Sequence, residues 1–109
     1  MSFHGSATSI RVEDRSTLKA MLSNPDGEEI HCEIDLNSCI GNNNGCFEWG
    51  GENFAYTAHP DEPITFNLEG DDQVPVLRAC LQDNEGNYHW RDINLAERIG
   101  NNGGEFCFN

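Results

Sequence analysis

The sequence predicts an all-β protein built from two similar halves. Over residues 30–36, apolar and polar side chains alternate, which is the period of a half-buried strand. Turn-forming stretches such as Asn24-Pro25-Asp26-Gly27 separate the predicted strands, as they do in hairpins. Where a helical pattern occurs it extends over one turn only, so we expect short helical turns between the strands.

One segment of the chain occurs twice, at an offset of 59 residues and without a gap. Residues 18–49 align with residues 77–108, and 12 of these 32 positions are identical. The identical positions are Leu18, Ala20, Leu22, Gly27, Ile34, Leu36, Ile40, Gly41, Asn42, Asn43, Gly45 and Phe47. Each half, with about 50 residues, is marginal as an independent domain. We therefore expect one domain over residues 1–109 with a shared core, repeat one covering residues 1–52 and repeat two residues 53–109.

The same patterns place the individual elements. In repeat one the predicted strands cover residues 10–12, 17–23, 30–36 and 46–49, and in repeat two residues 64–68, 77–81, 88–93 and 105–108. A helical turn capped by Asp35 or Asn37 is expected to end at Gly41, and its copy covers residues 94–99. Residues 42–45 are predicted to form a tight turn, and Phe54 is expected to take the place of Phe3 in the second copy.

The two copies disagree over one strand. In repeat one the inward parity carries Ile30 and Cys32, but His89 and Arg91 stand at those places in repeat two. There the aromatic residues take the other parity, at positions 88 and 90. Either a bulge shifts the register of this strand, or both of its faces are partly covered.

The charge balance excludes some classes of partner. The chain has 19 acidic and 6 basic residues, a formal net charge of −13. Binding to nucleic acids and to anionic membranes depends mainly on Lys and Arg, which this composition does not supply. We therefore expect neither nucleic acid nor a membrane as a partner, and we attribute the acidity mainly to solubility.

Hydropathy and cysteine usage bear on the compartment. No apolar run approaches the about 18 residues of a membrane span, and residues 1–11 lack the continuous apolar core of a signal peptide. The five cysteines form no Cys-x-x-Cys pair, and free thiols suit a reducing environment. These features predict a cytoplasmic protein.

Catalytic and metal-binding motifs find little support. The histidines are scattered, at His4, His31, His59 and His89, and none are spaced as metal ligands on a helix. Ile40 occupies the first ligand position of the calcium loop that Asn42-x-Asn44-Gly45 would complete. Acidic pairs are abundant, but solvated faces explain them, and no nucleophile is specified. We predict a protein that is not an enzyme and has no cofactor.

The predicted turns are rich in Asn, Ser, Thr and Gly. Dense neutral donors and acceptors suit an uncharged polyhydroxy ligand, to which several hydrogen bonds contribute together. Asn and Gly are equally expected in these places merely because they form turns. The residues alone leave these two interpretations even, and they predict few aromatic side chains free to line an apolar pocket.

Two stretches carry a more specific motif. The first consists of Ile34-Asp35-Leu36-Asn37-Ser38-Cys39-Ile40, Asn42, Gly45, Trp49, Asn53-Phe54 and Thr57, and the second of Ile93-Asn94-Leu95, Ile99, Asn101 and Gly104. Together they resemble the two repeats of the cyanovirin-N homology (CVNH) family. The junction Trp49-Gly50-Gly51-x-Asn53-Phe54 is similar to that of the filamentous-fungal members.

This resemblance implies both a fold and a function. The fold would consist of two pseudo-symmetric lobes, each a three-stranded antiparallel sheet plus a β-hairpin, with the hairpins exchanged between the repeats. The protein would be a lectin for α1,2-linked mannose at the ends of high-mannose glycans, with one site per lobe and without metal, cofactor or catalysis. Its expected partners are mannose-containing oligosaccharides or glycoproteins.

The resemblance also implies the positions of two sites. A middle site would use Asn42, Asn43, Asn44, Asn53, Tyr56, Thr57, Gln82, Asp83 and Asn84. A terminal site would use Ser2, Gly5, Ser6, Ser23, Asn24, Pro25, Asp26, Asn101, Asn102 and Gly103.

Amino-acid differences from the founding member of the family indicate which of the two sites is the more effective. Acidic residues of that protein are replaced by Asn44 and Gly103, and Gly5 has likewise lost a polar side chain. Asn44 keeps an acceptor, whereas Gly103 has no side chain. An arginine of the middle site is replaced by Asn84, whose neutral amide can still bond a hydroxyl. We expect the middle site to be effective and the terminal one to be weak.

The half-cystines of the founding member are also replaced. They fall on Ala7 and Leu22 in the first copy and on Ala58 and Leu81 in the second, so apolar packing would stand in for two bridges. The cysteines present are therefore not those of the family's disulfides, and Cys46 is expected to be exposed and open to oxidation.

Two further questions concern assembly and the competing function. The hinge between the repeats, Gly50-Gly51, lacks proline, so we expect it to fold back and give a monomer, with a domain-swapped dimer as the alternative. The competing functional hypothesis is a non-lectin module on the same scaffold, with degraded sugar sites and a protein partner.

Overall fold

The computed structural model describes residues 3–108, which form ten β-strands and four single-turn 3₁₀ segments. The strands are β1 Ala7–Glu13, β2 Thr17–Ser23, β3 Glu29–Asp35, β4 Ile40–Asn43, β5 Cys46–Trp49, β6 Thr65–Glu69, β7 Val74–Gln82, β8 Tyr88–Asn94, β9 Ile99–Asn101 and β10 Phe106–Phe108. The 3₁₀ segments are His4–Ser6, Leu36–Ser38, Phe54–Thr57 and Leu95–Glu97. The all-β prediction is confirmed. None of the helical segments in this part of the chain has the length and apolar character needed to cross a membrane.

The strands form two antiparallel sheets and two hairpins. The sheets have the orders β1-β2-β3 and β6-β7-β8, and the hairpins are β4-β5 and β9-β10. The first hairpin contacts the second sheet, where Asn42 Nδ2 donates to the Gln82 carbonyl at 2.8 Å. Reciprocally, Asn101 Nδ2 on the second hairpin donates to the Ser23 carbonyl at 2.9 Å. The hairpins are thus exchanged, as the resemblance implied.

We name the two resulting units by their position in the chain. The middle lobe combines the sheet β6-β7-β8 with the hairpin β4-β5, and the terminal lobe combines the sheet β1-β2-β3 with the hairpin β9-β10.

The helical turns are shorter than predicted. Asp35 caps the first one, because its Oδ1 accepts the N–H of Asn37 at 3.0 Å, and this cap was one of the two predicted. The turn ends at Ser38, however, and Gly41 lies inside strand β4, where it pairs with Glu48. The prediction that Gly41 ends the helical turn and that residues 42–45 form one loop was therefore wrong. Cross-strand pairing in the hairpin outweighs the local preference of these residues for turns.

The register of β8 resolves the disagreement between the copies. Pairing with β7 is regular from Val76–Asn94 to Gln82–Tyr88, so this strand has no bulge. His89 and Arg91 therefore occupy the places of Ile30 and Cys32, and Arg91 Nε donates to the Gly45 carbonyl of the hairpin at 2.9 Å. Both faces of the strand are partly covered, which was the second of the two alternatives.

The core joins both repeats. Its largest fully buried side chains are Phe3, Phe54, Leu18, Leu22, Leu36, Ile40, Leu77, Leu81, Leu95, Ile99 and Pro75. Phe54 takes the place of Phe3 in the second copy, as predicted, and both have no exposed surface. Burial of one such side chain contributes about 1.5–3 kcal/mol. One repeat without the other would bury too few apolar side chains to be a stable domain.

Apolar pairs occupy the positions to which the resemblance assigned the disulfides of the family. Ala7 is the strand partner of Leu22, and Ala58 forms an isolated bridge with Leu81. Leu22 and Leu81 are fully buried, so these pairs contribute to the core. Cys46 is a free and exposed thiol, as expected.

The hinge between the repeats packs closely against the backbone of strand β4 at Gly41. A Cβ added at Gly41 would lie 2.9 Å from the Glu52 nitrogen and 3.0 Å from Gly51 Cα. Because both neighbours are backbone atoms, we expect Gly41→Ala to lower the free energy of unfolding by about 1–3 kcal/mol. The measurement is the midpoint of urea unfolding.

Gly5→Ala is the matched control, because a Cβ at Gly5 meets no atom within 4 Å. It should unfold at the wild-type midpoint. A Gly41→Ala variant as stable as the control would show that the close approach of the hinge does not constrain the fold.

Candidate functional site

The middle site forms where the tip of the hairpin β4-β5 meets the turn that follows β7. Asn44 and Gly45 make a two-residue hairpin loop, with φ values of +52° and +86°. This conformation requires residues that tolerate positive φ at both places, which explains the Asn-Gly pair. The 3₁₀ segment Phe54–Thr57 completes the site on its other side.

Asn42 connects these three segments through its side-chain amide. One amide hydrogen goes to Thr57 Oγ1 at 2.9 Å and the other to the Gln82 carbonyl at 2.8 Å. Its Oδ1 accepts the N–H of Gly45 at 2.8 Å. Asn42 stays a predicted sugar contact, and both of its amide hydrogens are engaged within the protein, where they hold the three segments together.

Asn101 makes the equivalent contacts in the terminal lobe. Its Nδ2 donates to Ser6 Oγ and to the Ser23 carbonyl, both at 2.9 Å, and its Oδ1 accepts the N–H of Gly104 at 2.8 Å. The two lobes therefore share one structural device, which holds each hairpin tip against the opposite sheet.

Asp83 organises the turn after β7. Its Oδ1 accepts the N–H groups of Glu85 and Asn87, each at 2.9 Å, and its Oδ2 lies 2.7 Å from His89 Nε2. The hydrogen bond with His89, followed by that from the Asn87 N–H, holds the pKa of Asp83 below its ordinary value of 3.8. This carboxylate stays a predicted sugar ligand, and three of its hydrogen bonds are made to its own turn and to His89. Asn24 plays the same part in the terminal lobe, where its Oδ1 accepts the N–H groups of Asp26 and Glu28.

One hydrogen bond distinguishes the two lobes. In the middle lobe, Asn44 Oδ1 accepts the N–H of Asn84 at 2.9 Å and so ties the hairpin tip to the turn of the sheet. We call this contact the Asn44–Asn84 clasp. The equivalent residues in the terminal lobe are Gly103, which has no side chain, and Pro25, which has no N–H. Both partners of the clasp are thus missing there, and the terminal hairpin tip has no counterpart of this hydrogen bond.

Several polar groups of the middle site remain available to a ligand. The side-chain amides of Asn43, Asn53 and Asn84 and the hydroxyl of Tyr56 are exposed, and within residues 3–108 none has a hydrogen-bond partner. Tyr56 is 77% exposed. Thr57 Oγ1 is engaged with Asn42 and the Phe54 carbonyl, and Gln82 Nε2 approaches the Gly86 carbonyl at 3.4 Å. The predicted middle residues do come together, but they divide into positioning residues and free ones.

The terminal site offers less. Ser2 lies outside the described residues, and Gly5 and Gly103 have no side chain. Ser6 accepts from Asn101, and Asn24 is engaged in its own turn through Asp26 and Glu28. Among the remaining predicted residues, Asp26 and Asn102 are the exposed ones whose side chains have no hydrogen-bond partner in the described part of the chain.

Two grooves on the surface are lined by residues outside the predicted sites. A groove of about 460 Å³ runs between β5 and β8, lined by Phe47, Trp49 and Arg91 among others, and one of about 400 Å³ between β3 and β10. None of the predicted sugar-binding residues lines either groove. Within residues 3–108, no three His, Cys, Asp or Glu side chains are grouped to hold a metal ion. The polar groups of the two sites are mainly amides and hydroxyls, with the carboxylates of Asp83 and Asp26 beside them.

The acidity of Asp83 gives a prediction for stability. Because its pKa is lowered in the folded state, its contribution is fully present above the ordinary pKa of 3.8 and is lost as pH falls through the lower, folded-state pKa. Asp83→Asn should therefore be less stable than the wild type at neutral pH, and the difference should shrink in acid. The measurement is the free energy of unfolding in urea as a function of pH.

Asp26→Asn serves as the control. It also removes a negative charge, from the equivalent turn of the terminal lobe, but the carboxylate of Asp26 is exposed and has no hydrogen-bond partner in the described part of the chain. It should show no comparable pH-dependent loss. A gap between Asp83→Asn and the wild type that stays constant from neutral pH into acid would contradict the assigned role of Asp83.

Comparison with known proteins identifies the family. The family model of the CVNH domain matches residues 3–107. The cyanovirin-N homolog of Neurospora crassa is 46% identical over 110 residues, which cover 97% of this chain and 96% of that protein. The NMR structure of GzCVNH from Gibberella zeae superimposes with a TM-score of 0.90 at 43% identity, covering 97% of this chain and 95% of that one.

Two similar structures contain carbohydrate. The microvirin:mannobiose complex has a TM-score of 0.83 at 26% identity and covers 99% of this chain and 98% of that one. A MoCVNH3 variant in complex with (N-GlcNAc)4 has a TM-score of 0.79 at 25% identity, covering 98% and 96%. The resemblance to the CVNH family and to its fungal members is thereby confirmed. This chain belongs to the CVNH family, whose fold is that of carbohydrate-binding lectins.

Proposed function

We propose that this protein is a non-catalytic lectin that binds α1,2-linked mannose at the ends of high-mannose glycans, chiefly through the middle site. The observation that carries the proposal is the Asn44–Asn84 clasp together with the unpaired amides beside it. The mannobiose complex of microvirin, a similar protein, supports mannose as the ligand.

The middle site is suited to a neutral sugar for a physical reason. Each hydrogen bond to a sugar hydroxyl contributes only about 0.5–1.5 kcal/mol net, so several must form together. Asn42, Asp83 and the clasp hold the surrounding turns in place before a ligand arrives, which lowers the entropy lost on binding. Because the ligand is neutral, binding should depend little on salt and not on metal ions.

The terminal site should contribute little. It lacks the clasp, and two of its predicted residues, Gly5 and Gly103, have no side chain. With one effective site the protein gains no avidity from a branched glycan and cross-links glycoproteins poorly. We further propose that it acts in the cytoplasm, on oligosaccharides or glycoproteins present there.

The first test is a titration of ¹⁵N-labelled protein with Manα1,2Man, followed through the amide chemical shifts. We expect saturable shifts confined to residues 42–44, 53–57 and 82–84. A parallel titration with (GlcNAc)4 shows whether the protein prefers mannose or N-acetylglucosamine, the two sugars present in the structures of similar proteins. Shifts around Ser6, Asn24 and Asn101 would keep the function and overturn the ranking of the sites. No shifts with Manα1,2Man would favour the non-lectin alternative, in which the scaffold binds a protein.

A matched pair of variants tests the ranking directly. Asn43 and Asn102 are equivalent in the two repeats, and both side chains are exposed and unpaired in the described structure. Asn43→Ala should weaken Manα1,2Man binding by about two- to tenfold, the equivalent of one hydrogen bond, and Asn102→Ala should not. Isothermal titration calorimetry measures both. Equal losses would indicate two working sites.

The proposal also includes a monomer. Gly50, at φ +85°, turns the hinge back on itself, and Gly51 packs against Gly41 within the same chain. Sedimentation velocity should therefore give a monomer over a wide range of concentrations. A dimer that persists on dilution would instead indicate exchange of hairpins between two chains.

A further inference from the structure

We propose that an aromatic strip beside the middle site is a carbohydrate subsite, which takes the saccharide unit next to the terminal disaccharide of a longer glycan. The strip consists of His59, Tyr88 and Trp90. This inference rests on the proposed function, because it extends the same site to a larger ligand.

The strip lies on the outer face of the sheet β6-β7-β8. Leu77, Ala79 and Leu81 are fully buried and point into the core, so the alternate residues of β7 face outward. Tyr88 is the strand partner of Gln82, and Trp90 is the partner of Cys80. Directly paired residues share a face, so both aromatic side chains lie on this outer surface.

Two residues predicted to bind sugar, Thr57 and Gln82, lie next to the strip on the same face of the sheet. Ala58 bridges to Leu81 on the other side of β7, and the His59 N–H donates to the Cys80 carbonyl at 2.8 Å. The chain therefore runs alongside β7 at this point, and Thr57 comes level with Gln82. One row across the sheet holds Thr57, Gln82 and Tyr88, and the next holds His59, Cys80 and Trp90.

The two rows are in contact with each other. The rings of His59 and Tyr88 have centroids 4.5 Å apart, which joins one row to the next. Successive rows on one face lie about 7 Å apart along a strand, the scale of one pyranose unit and its linkage. A glycan whose end occupies the middle site can thus continue over the strip.

The chemistry of the strip favours a sugar ring. Tyr88 is 40% exposed and Trp90 52%. Within residues 3–108, neither the Tyr88 hydroxyl nor Trp90 Nε1 has a hydrogen-bond partner. His59 Nδ1 accepts the N–H of Asp61 at 3.1 Å, which leaves its Nε2 as a donor. Flat apolar faces with polar edges match a pyranose, which has C–H faces and a rim of hydroxyls.

The surroundings argue for a small neutral ligand. The next row of the sheet contains Arg78, paired with Glu69, and Asp92, so charged groups limit the strip. A stable protein interface buries about 800 Å² on each partner around an apolar centre, and two partly exposed aromatic side chains do not provide one. The neutral residues Thr57 and Gln82 continue the strip toward the middle site instead.

The terminal lobe has no such strip. The residues equivalent to Tyr88 and Trp90 are Glu29 and His31, and Thr8 takes the place of His59. Thr8 Oγ1 donates to Glu29 Oε1 at 3.2 Å, and an Arg11 nitrogen lies 3.4 Å from His31 Nε2. The aromatic strip and the Asn44–Asn84 clasp, which are independent features, thus occur in the same lobe.

The test compares two ligands that differ by one unit, Manα1,2Man and Manα1,2Manα1,2Man. The trisaccharide should bind the wild type more tightly than the disaccharide. In Trp90→Ala the trisaccharide should lose about three- to tenfold in affinity, while the disaccharide should bind as before. Trp90→Phe should keep most of the gain, because its ring can still stack. Calorimetry gives the affinities, and Trp90 fluorescence should shift with the trisaccharide only.

A control variant and two contrary outcomes distinguish failure of the subsite from failure of the proposed function. His31→Ala, at the equivalent place in the terminal lobe, should change neither affinity. The subsite is overturned if Trp90→Ala affects both ligands equally, or neither, while the disaccharide still binds; the proposed function then stands. If the wild type binds neither saccharide, the proposed function fails and the subsite fails with it.

Discussion

The structure depends on an asparagine side chain in each lobe that joins a hairpin to a sheet of the other repeat. Asn42 connects three segments that are far apart in the sequence, residues 42–45, 57 and 82. A half-buried amide with both donors engaged is worth more than its average net hydrogen bond, because removing it would leave the Gln82 carbonyl and the Gly45 N–H without partners. Asn101 does the same in the terminal lobe. The shared core holds the two repeats together, and these two asparagines fix the position of each exchanged hairpin on the opposite sheet.

On this symmetric frame, a few substitutions make the lobes unequal. The clasp requires an acceptor on the hairpin tip and an N–H on the facing turn, and the terminal lobe has Gly103 and Pro25 there. Each change alone would abolish the bond, so the pair together removes it without leaving an unpaired group. The outer face follows the same division, with aromatic rings in the middle lobe and a polar, hydrogen-bonded surface in the terminal lobe. Duplication supplied two similar scaffolds, and sequence divergence placed the clasp and the exposed aromatic side chains in one of them.

The structure brings most of the residues predicted for the middle site together, but the sequence did not show which of their polar groups are engaged within the protein. The resemblance to the CVNH family brought together residues that the structure does place together, including Asn44 and Asn84, 40 positions apart. It did not separate residues that hold the site from those free to bind, because Asn42 and Asn43 are the same amino acid in adjacent positions. Asp83 shows the same limit, since its carboxylate serves its own turn and His89. Periodicity places Tyr88 and Trp90 on the same face of their strand, but it does not show that this face is the exposed one.

By itself the sequence determined most of the strands, the repeat and the core. These follow from local periodicity and from identical apolar positions such as Leu18 and Leu77, which record burial directly. The sequence did not predict strands β4 and β9, whose residues it assigned to turns, and the helical turn predicted over residues 94–99 is limited to Leu95–Glu97. Tertiary structure alone decided which polar groups remain unpaired and how the hairpin tips are held. The physical reason is that hydrogen bonds such as those of Asn42 and Asn44 depend on the distance and direction between atoms of remote segments, and these leave no period in the chain.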